Sequence, residues 1–236
     1  MSTNSWAFSI WGIIFALQGA GVVYAALPHG YTAAESVKLR VVNAVGHWWS
    51  LAWLAEIGWQ LAFVHASVPG MWTCLALLIA ALTAMATALR RLYSLKDDFG
   101  VPSAALLYSF FCLPTSINTA WLSVASSLGV LVVARAHDVS QASLAVPAIL
   151  LAAVCTAAGV AVVAVKRDTA YALTLVWALM AVFGRETRGG APPHVRWASF
   201  VCLTVMSVAT VGSVLRRKAP RDVRLAEPLK AAVVQK

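Results

Sequence analysis

The chain has 236 residues, of which 61% are hydrophobic and 11% charged, with a formal net charge of +9. A soluble domain carries about 25% charged residues, so this composition belongs to a polytopic membrane protein, and its length suits one all-α helical bundle. The basic residues stand at the ends of apolar runs and in the C-terminal segment, which argues against a nucleic-acid-binding surface and for membrane orientation.

A bilayer core of about 30 Å needs roughly 20 apolar residues of helix. Seven stretches approach that length. The first is Trp6–Leu27, ended by the breaker cluster Pro28-His29-Gly30. The leading MSTNS has no positive region, so no cleavable signal or transit peptide is expected. The second is Val41–His65. Pro69-Gly70 then predicts a tight turn into the third, Met71–Tyr93. The fourth lies in the uncharged run Phe99–Ala134, too long for one straight crossing and too short for two. Pro114 predicts a kink there. The fifth is Ala142–Val165, the sixth the shorter Thr169–Gly184, and the seventh Val195–Leu215. Residues 1–215 are thus expected to form the bundle. Residues 216–236 are expected to form a basic tail that loses order toward its end.

The distribution of positive charge orients this scheme. Fourteen Lys and Arg residues fall in loops 1–2, 3–4 and 5–6 and the tail. Only Arg135, Arg185, Arg188 and Arg196 fall on the other side. The positive-inside rule therefore places the N-terminus outside and the C-terminus on the cytosolic side. A sixth segment that failed to cross would erase the bias.

The second stretch, VVNAVGHWWSLAWLAEIGWQLAF, is unusual for a membrane helix. Trp49, Trp53, Glu56 and Gln60 are spaced 0, 4, 7, 11 and make one stripe. A carboxylate at membrane depth costs several kcal/mol unless it is answered, so the stripe should face other helices or a cavity. His47 and Asn43 lie off it and read as interhelical contacts. Trp11, Phe15, Gln18 and Val22 in the first stretch share the spacing, as do Pro114, Asn118, Trp121 and Ala125 in the fourth. Converging, the three faces would form a pocket with aromatic walls (Trp11, Phe15, Trp49, Trp53, Trp121) and polar anchors (Gln18, Glu56, Gln60, Asn118). Such a pocket suits a flat, mostly apolar ligand such as a tetrapyrrole or sterol. Ordinary interhelical packing, with the polar groups bonded to one another, is the competing reading. Trp6, Trp72 and Trp197, at stretch ends, read as an interfacial belt.

Other chemistries find little support. Cys74, Cys112, Cys155 and Cys202 stand singly in apolar runs and form neither a disulfide framework nor a metal site. His47 and His65 are 18 residues apart on one helix, about 27 Å, and cannot ligate one haem. The remaining histidines are in loops. No membrane stretch contains the lysine a retinal Schiff base needs. No hydrolase triad, HExxH or phosphate-binding loop is present, so no catalytic residues and no metal ligands are expected. LRRLYSLK from Leu89 and RDTAYAL from Arg167 fit loose cholesterol-contact patterns.

Trp6, Phe8, Trp11, Phe15 and Gly19 resemble the first helix of the tryptophan-rich sensory protein / translocator protein (TspO/MBR) family. Asn43 with Trp48 and Trp49, and Pro114 with Trp121 and Ala125, are similar to its second and fourth-stretch patterns, and AYALTLVWAL to a segment of larger members. The chain departs from the common members in having seven stretches rather than five. Ile10 also stands where a Pro precedes the second Trp, and no Pro follows the Trp of the second stretch. The resemblance implies a membrane protein that binds porphyrin, haem or sterol, with a sensing, transport or scavenging role rather than turnover. It also implies a tendency to dimerise. Two alternatives remain open from the residues: a transporter in which Glu56 carries a proton, and a structural subunit whose stripes face the helices of a larger membrane complex.

Overall fold

A computed structural model describes residues 5–28, 33–65, 67–95, 105–188 and 191–218. Among these there are seven long helices: α1 (Ile10–Ala26, entered through a 3-10 turn at Ser5–Ser9), α2 (Ala33–Phe63), α3 (Val68–Leu95), α4 (Leu113–Ala136), α5 (Ala145–Lys166), α6 (Thr169–Arg188) and α7 (Pro193–Lys218). Five helical segments are long and apolar enough to cross a membrane: Trp6–Ala26, Val68–Leu95, Ala105–Ala136, Ala145–Lys166 and Pro193–Leu215. The other two helices, α2 and α6, have 31 and 20 residues, length enough to span, but they carry the polar positions that lower their apolarity.

Side-chain contacts fix the helix directions. Gly21, Gln18 and Trp11 of α1 meet Trp49, Trp53 and Trp59 of α2 in reverse order. Trp48 and Gly58 of α2 meet Arg91 and Leu77 of α3, again reversed. Trp72 and Leu78 of α3 meet His137 and Gly129 at the far end of α4. By contrast Trp49 and Glu56 of α2 pair with Thr115 and Asn118 of α4 in the same order, and Asp168, just before α6, joins Ser116 near the start of α4 to Tyr93 near the end of α3. α2 and α4 therefore run together, with α1 and α3 against them. The chain start reaches the middle of two other helices, with Phe8 against Trp121 of α4 and Trp6 against Trp177 of α6.

Local chemistry explains several boundaries. Ser67 Oγ accepts the Gly70 N–H at 3.2 Å, so Pro69-Gly70 lies inside the first turn of α3 rather than forming the link. Pro is tolerated there because that N–H has no helical acceptor. α2 begins eight residues before the expected Val41, its polar first turns standing beyond the apolar run. Arg167 closes α5 in the left-handed conformation (φ 54°), and Asp168 starts α6 at once. The expected segment 99–134 is one helical course from Ala105 to Ala136. It is interrupted by a π-turn at Tyr108–Cys112, where Leu113 N–H bonds Tyr108 O. The wide turn answers Pro114, whose ring would collide with the carbonyl four residues back and which has no N–H to offer it. That carbonyl belongs to Phe110, and Gly21 of α1 sits so close to it that any Cβ there would overlap it.

The core has two parts sharing α4. One packs α2, α3 and the π-turn around Met85, Leu92, Leu107 and Leu122. The other packs α4 to α7 with the start of α1 around Trp121, Leu175 and Met206. Gly159 lets α5 approach both Leu175 of α6 and Met206 of α7. Trp6, Trp72 and Trp197 are exposed at helix ends. His47 and Asn43, expected between helices, are exposed on the outside of α2, because the inward-turned stripe occupies the opposite side. The loop with Lys96, Asp97 and Asp98, His29-Gly30, and residues 219–236 of the basic tail lie outside the described residues.

Candidate functional site

α4 is the polar spine of the bundle. Thr115, Ser116, Asn118, Thr119 and Ser126 are all buried on it. Thr115 and Thr119 return their hydroxyls to the carbonyls four residues back, which satisfies them within the helix. Asn118 and Ser116 instead reach outward, toward α2 and α6.

On the α2 side, Asn118 Nδ2 donates to Glu56 Oε1 at 2.8 Å, with Glu56 1% and Asn118 0% exposed. One turn earlier Trp53 Nε1 donates to Gln18 Oε1 of α1 at 2.9 Å. Trp49 Nε1 donates to Thr115 Oγ1 at 3.0 Å. The three stripes thus meet, and their polar groups are bonded to one another in part. The remainder is unsatisfied: Glu56 Oε2, Asn118 Oδ1, Gln18 Nε2, Trp11 Nε1 and Trp121 Nε1 are buried with no hydrogen-bond partner among the described residues. A buried polar atom left so costs about 1–3 kcal/mol, and an ionised carboxylate costs more.

Beside these groups lies a groove of about 370 Å³ between α1 and α2. Gln18, Trp53 and Glu56 line it together with Phe15, Gly19, Ile57 and Gln60. Phe15, Gly19, Ile57 and Gln60 are exposed, so the mouth lies on the outer face of the bundle, with the buried Gln18 and Glu56 inward of it. Five of the nine residues expected from sequence line this groove. The other four stand behind it. Trp49 is buried against Phe111 and Trp53, with ring centroids 5.8 and 6.0 Å away, and beneath Gly21. Trp121 meets the edges of Trp11 and Phe8 at 6.2 and 6.1 Å. Asn118 backs Glu56. Trp11 stacks between Phe15 (5.5 Å) and Trp59 (5.8 Å). Gly19 and Ile57 also line it and were not expected there from sequence. They fall beside the stripes rather than on them, and a groove edge is made of such flanking positions.

The other side of α4 holds a carboxylate that sequence reading placed in a loop. Asp168 is 7% exposed. Its Oδ2 accepts from Tyr93 Oη and Ser116 Oγ, both at 2.6 Å, and its Oδ1 accepts the Tyr171 N–H at 3.1 Å. It caps the start of α6 while joining α3, α4 and α6. An Asp directly after a basic pair and three residues before a buried aromatic is the N-cap signal that could have found it. Among the described residues no group of three or more His, Cys, Asp or Glu is placed to hold a metal ion.

Seven long helices among the described residues, five of them long and apolar enough to cross a membrane, around a buried polar spine define an integral, multi-pass α-helical membrane protein. The family model described as TSPO-like protein matches residues 2–212, and the chain belongs to that family. Comparison with curated proteins and with solved structures finds no match.

Proposed function

We propose that the protein binds a planar, mostly apolar ligand, a porphyrin, haem or sterol, in the groove between α1 and α2, and serves in sensing or transport rather than in turnover. The observation that carries this reading is the coincidence of a groove of about 370 Å³ with two lining residues, Gln18 and Glu56, that each bury an unsatisfied polar atom. The volume lies in the roughly 300–1,000 Å³ range of small-molecule sites. Phe15 and Trp53 supply flat apolar surface. Gln18 Nε2 offers a donor and Glu56 an acceptor, enough to orient a polar substituent on an apolar ring. Trp11, Trp49, Asn118 and Trp121 act in this reading as supports that hold the lining residues. The basic asymmetry orients the protein with residue 5 outside and residue 218 on the cytosolic side.

The test is titration of the detergent-purified protein with protoporphyrin while tryptophan emission is followed. Wild type should quench saturably. Trp53→Phe combined with Glu56→Gln should weaken that quenching about tenfold or more, since the carboxylate and the larger indole, with the N–H that holds Gln18, are lost. Unchanged quenching in the double variant would move the ligand elsewhere.

A further inference from the structure

α1 is flanked by two clefts, and the second has no part in the reading above. On the side away from α2, α1 and α6 stand apart over α4 and leave a cleft of about 310 Å³. Ile13, Ile117, Leu173 and Trp177 form its apolar walls, and Tyr108 and Thr169 stand at one end. We propose that this cleft holds one acyl chain of an anionic phospholipid of the bilayer, with the headgroup seated on Lys166 and Arg167.

The shape of the cleft selects the occupant. Its far end is closed where Trp177 Nε1 donates to Ala7 O at 3.3 Å and the Trp177 ring meets the edge of Trp6 at 4.8 Å. Its near end opens at the start of α6. From Thr169 to Trp177 the helix rises about 12 Å. A partner helix would need about 30 Å of matching surface, whereas the hydrocarbon of one leaflet is about half of that. The cleft therefore fits a chain entering from a single leaflet. Ile13 and Leu173, its lips, are 48% and 58% exposed, so the chain passes in sideways from the lipid.

Charge selects the headgroup. Lys166 and Arg167 are exposed and stand one residue short of Thr169 at the open end, with Asp168 between. The Lys166 ammonium lies 5.5 Å from the Tyr93 ring centroid, which holds it at the helix end. Lys38, Arg40, Arg90 and Arg91 belong to the same end of the bundle, so the surrounding field favours an anion. Asp168, the acid between this pair and the cleft, is turned inward onto Tyr93 and Ser116.

The experiment is native mass spectrometry of the full chain released from nanodiscs of equal phosphatidylglycerol and phosphatidylcholine. Wild type should retain one phosphatidylglycerol with at least fivefold preference. Leu173→Trp, which fills the cleft, should lower retention at least fivefold without changing helicity. Lys166→Gln with Arg167→Gln should leave a lipid bound but remove the preference. Equal retention of both lipids by wild type would overturn the headgroup assignment. Retention unaffected by Leu173→Trp would overturn the cleft. Should Leu173→Trp not fold, Ile13→Phe narrows the same cleft from α1 and carries the same expectation.

Discussion

Glu56 and Asp168 are both carboxylates buried against α4, at residues only two apart on that helix, yet they are held in opposite ways. Asp168 accepts three hydrogen bonds, from Tyr93, Ser116 and the Tyr171 backbone, and every one comes from a different segment. Glu56 accepts one, from Asn118, and its second oxygen has no partner among the described residues. A buried acid that is fully bonded fixes helices together. One that is half bonded adds less to the fold, and in the proposed function its second oxygen is left for a ligand. The same helix thus fully bonds one buried acid and only half bonds the other.

Removing the joint should have the largest effect. Asp168→Ala strands the hydroxyls of Tyr93 and Ser116 and uncaps α6, for a loss of about 3 kcal/mol or more. Titration of the protein in dodecyl maltoside with sodium dodecyl sulfate, read by circular dichroism, measures it. Gly21→Ala should come next, at about 1–3 kcal/mol in the same assay, because its Cβ would fall on the Phe110 carbonyl and crowd the Trp49 ring. Glu56→Gln should cost about 1 kcal/mol or less, since the amide oxygen still accepts from Asn118, while porphyrin affinity falls about tenfold. A stability loss for Glu56→Gln equal to that of Asp168→Ala would erase the contrast between the two acids. Gly12→Ala should change neither stability nor binding by more than about 0.5 kcal/mol, because its Cβ would meet nothing within 4 Å.

Much of this arrangement is legible in the sequence. Apolar run lengths give the helices, and the 0, 4, 7, 11 spacing brings Gln18, Glu56 and Asn118 into one region because helical periodicity alone decides which side chains share a face. Depth on that face is not legible. Trp49 and Phe15 occupy comparable stripe positions, yet Trp49 is 4% and Phe15 41% exposed. The difference arises from Gly21 and the π-turn, which bring α1 down onto Trp49 and leave Phe15 at an edge. Asp168 escaped notice for a related reason. Charges between apolar runs read as solvated links, and only the two-residue corner from α5 to α6 turns this one inward. The partial burial of α1, flanked by two clefts, depends on which helices fail to touch, and no local pattern encodes that.

The wide turn at Tyr108–Cys112 carries a further consequence. It takes up one residue more than an α-turn would, so the segment before it is rotated by about 100° relative to a regular helix. Leu107, 0% exposed, faces the core because of that surplus. Deleting a single residue there, such as the exposed Ser109, would leave composition and hydropathy almost untouched. It would still swing Leu107 out toward the acyl chains and return the Phe110 carbonyl beneath the Pro114 ring. At this point chain length itself, counted to the residue, decides which side chains face the core.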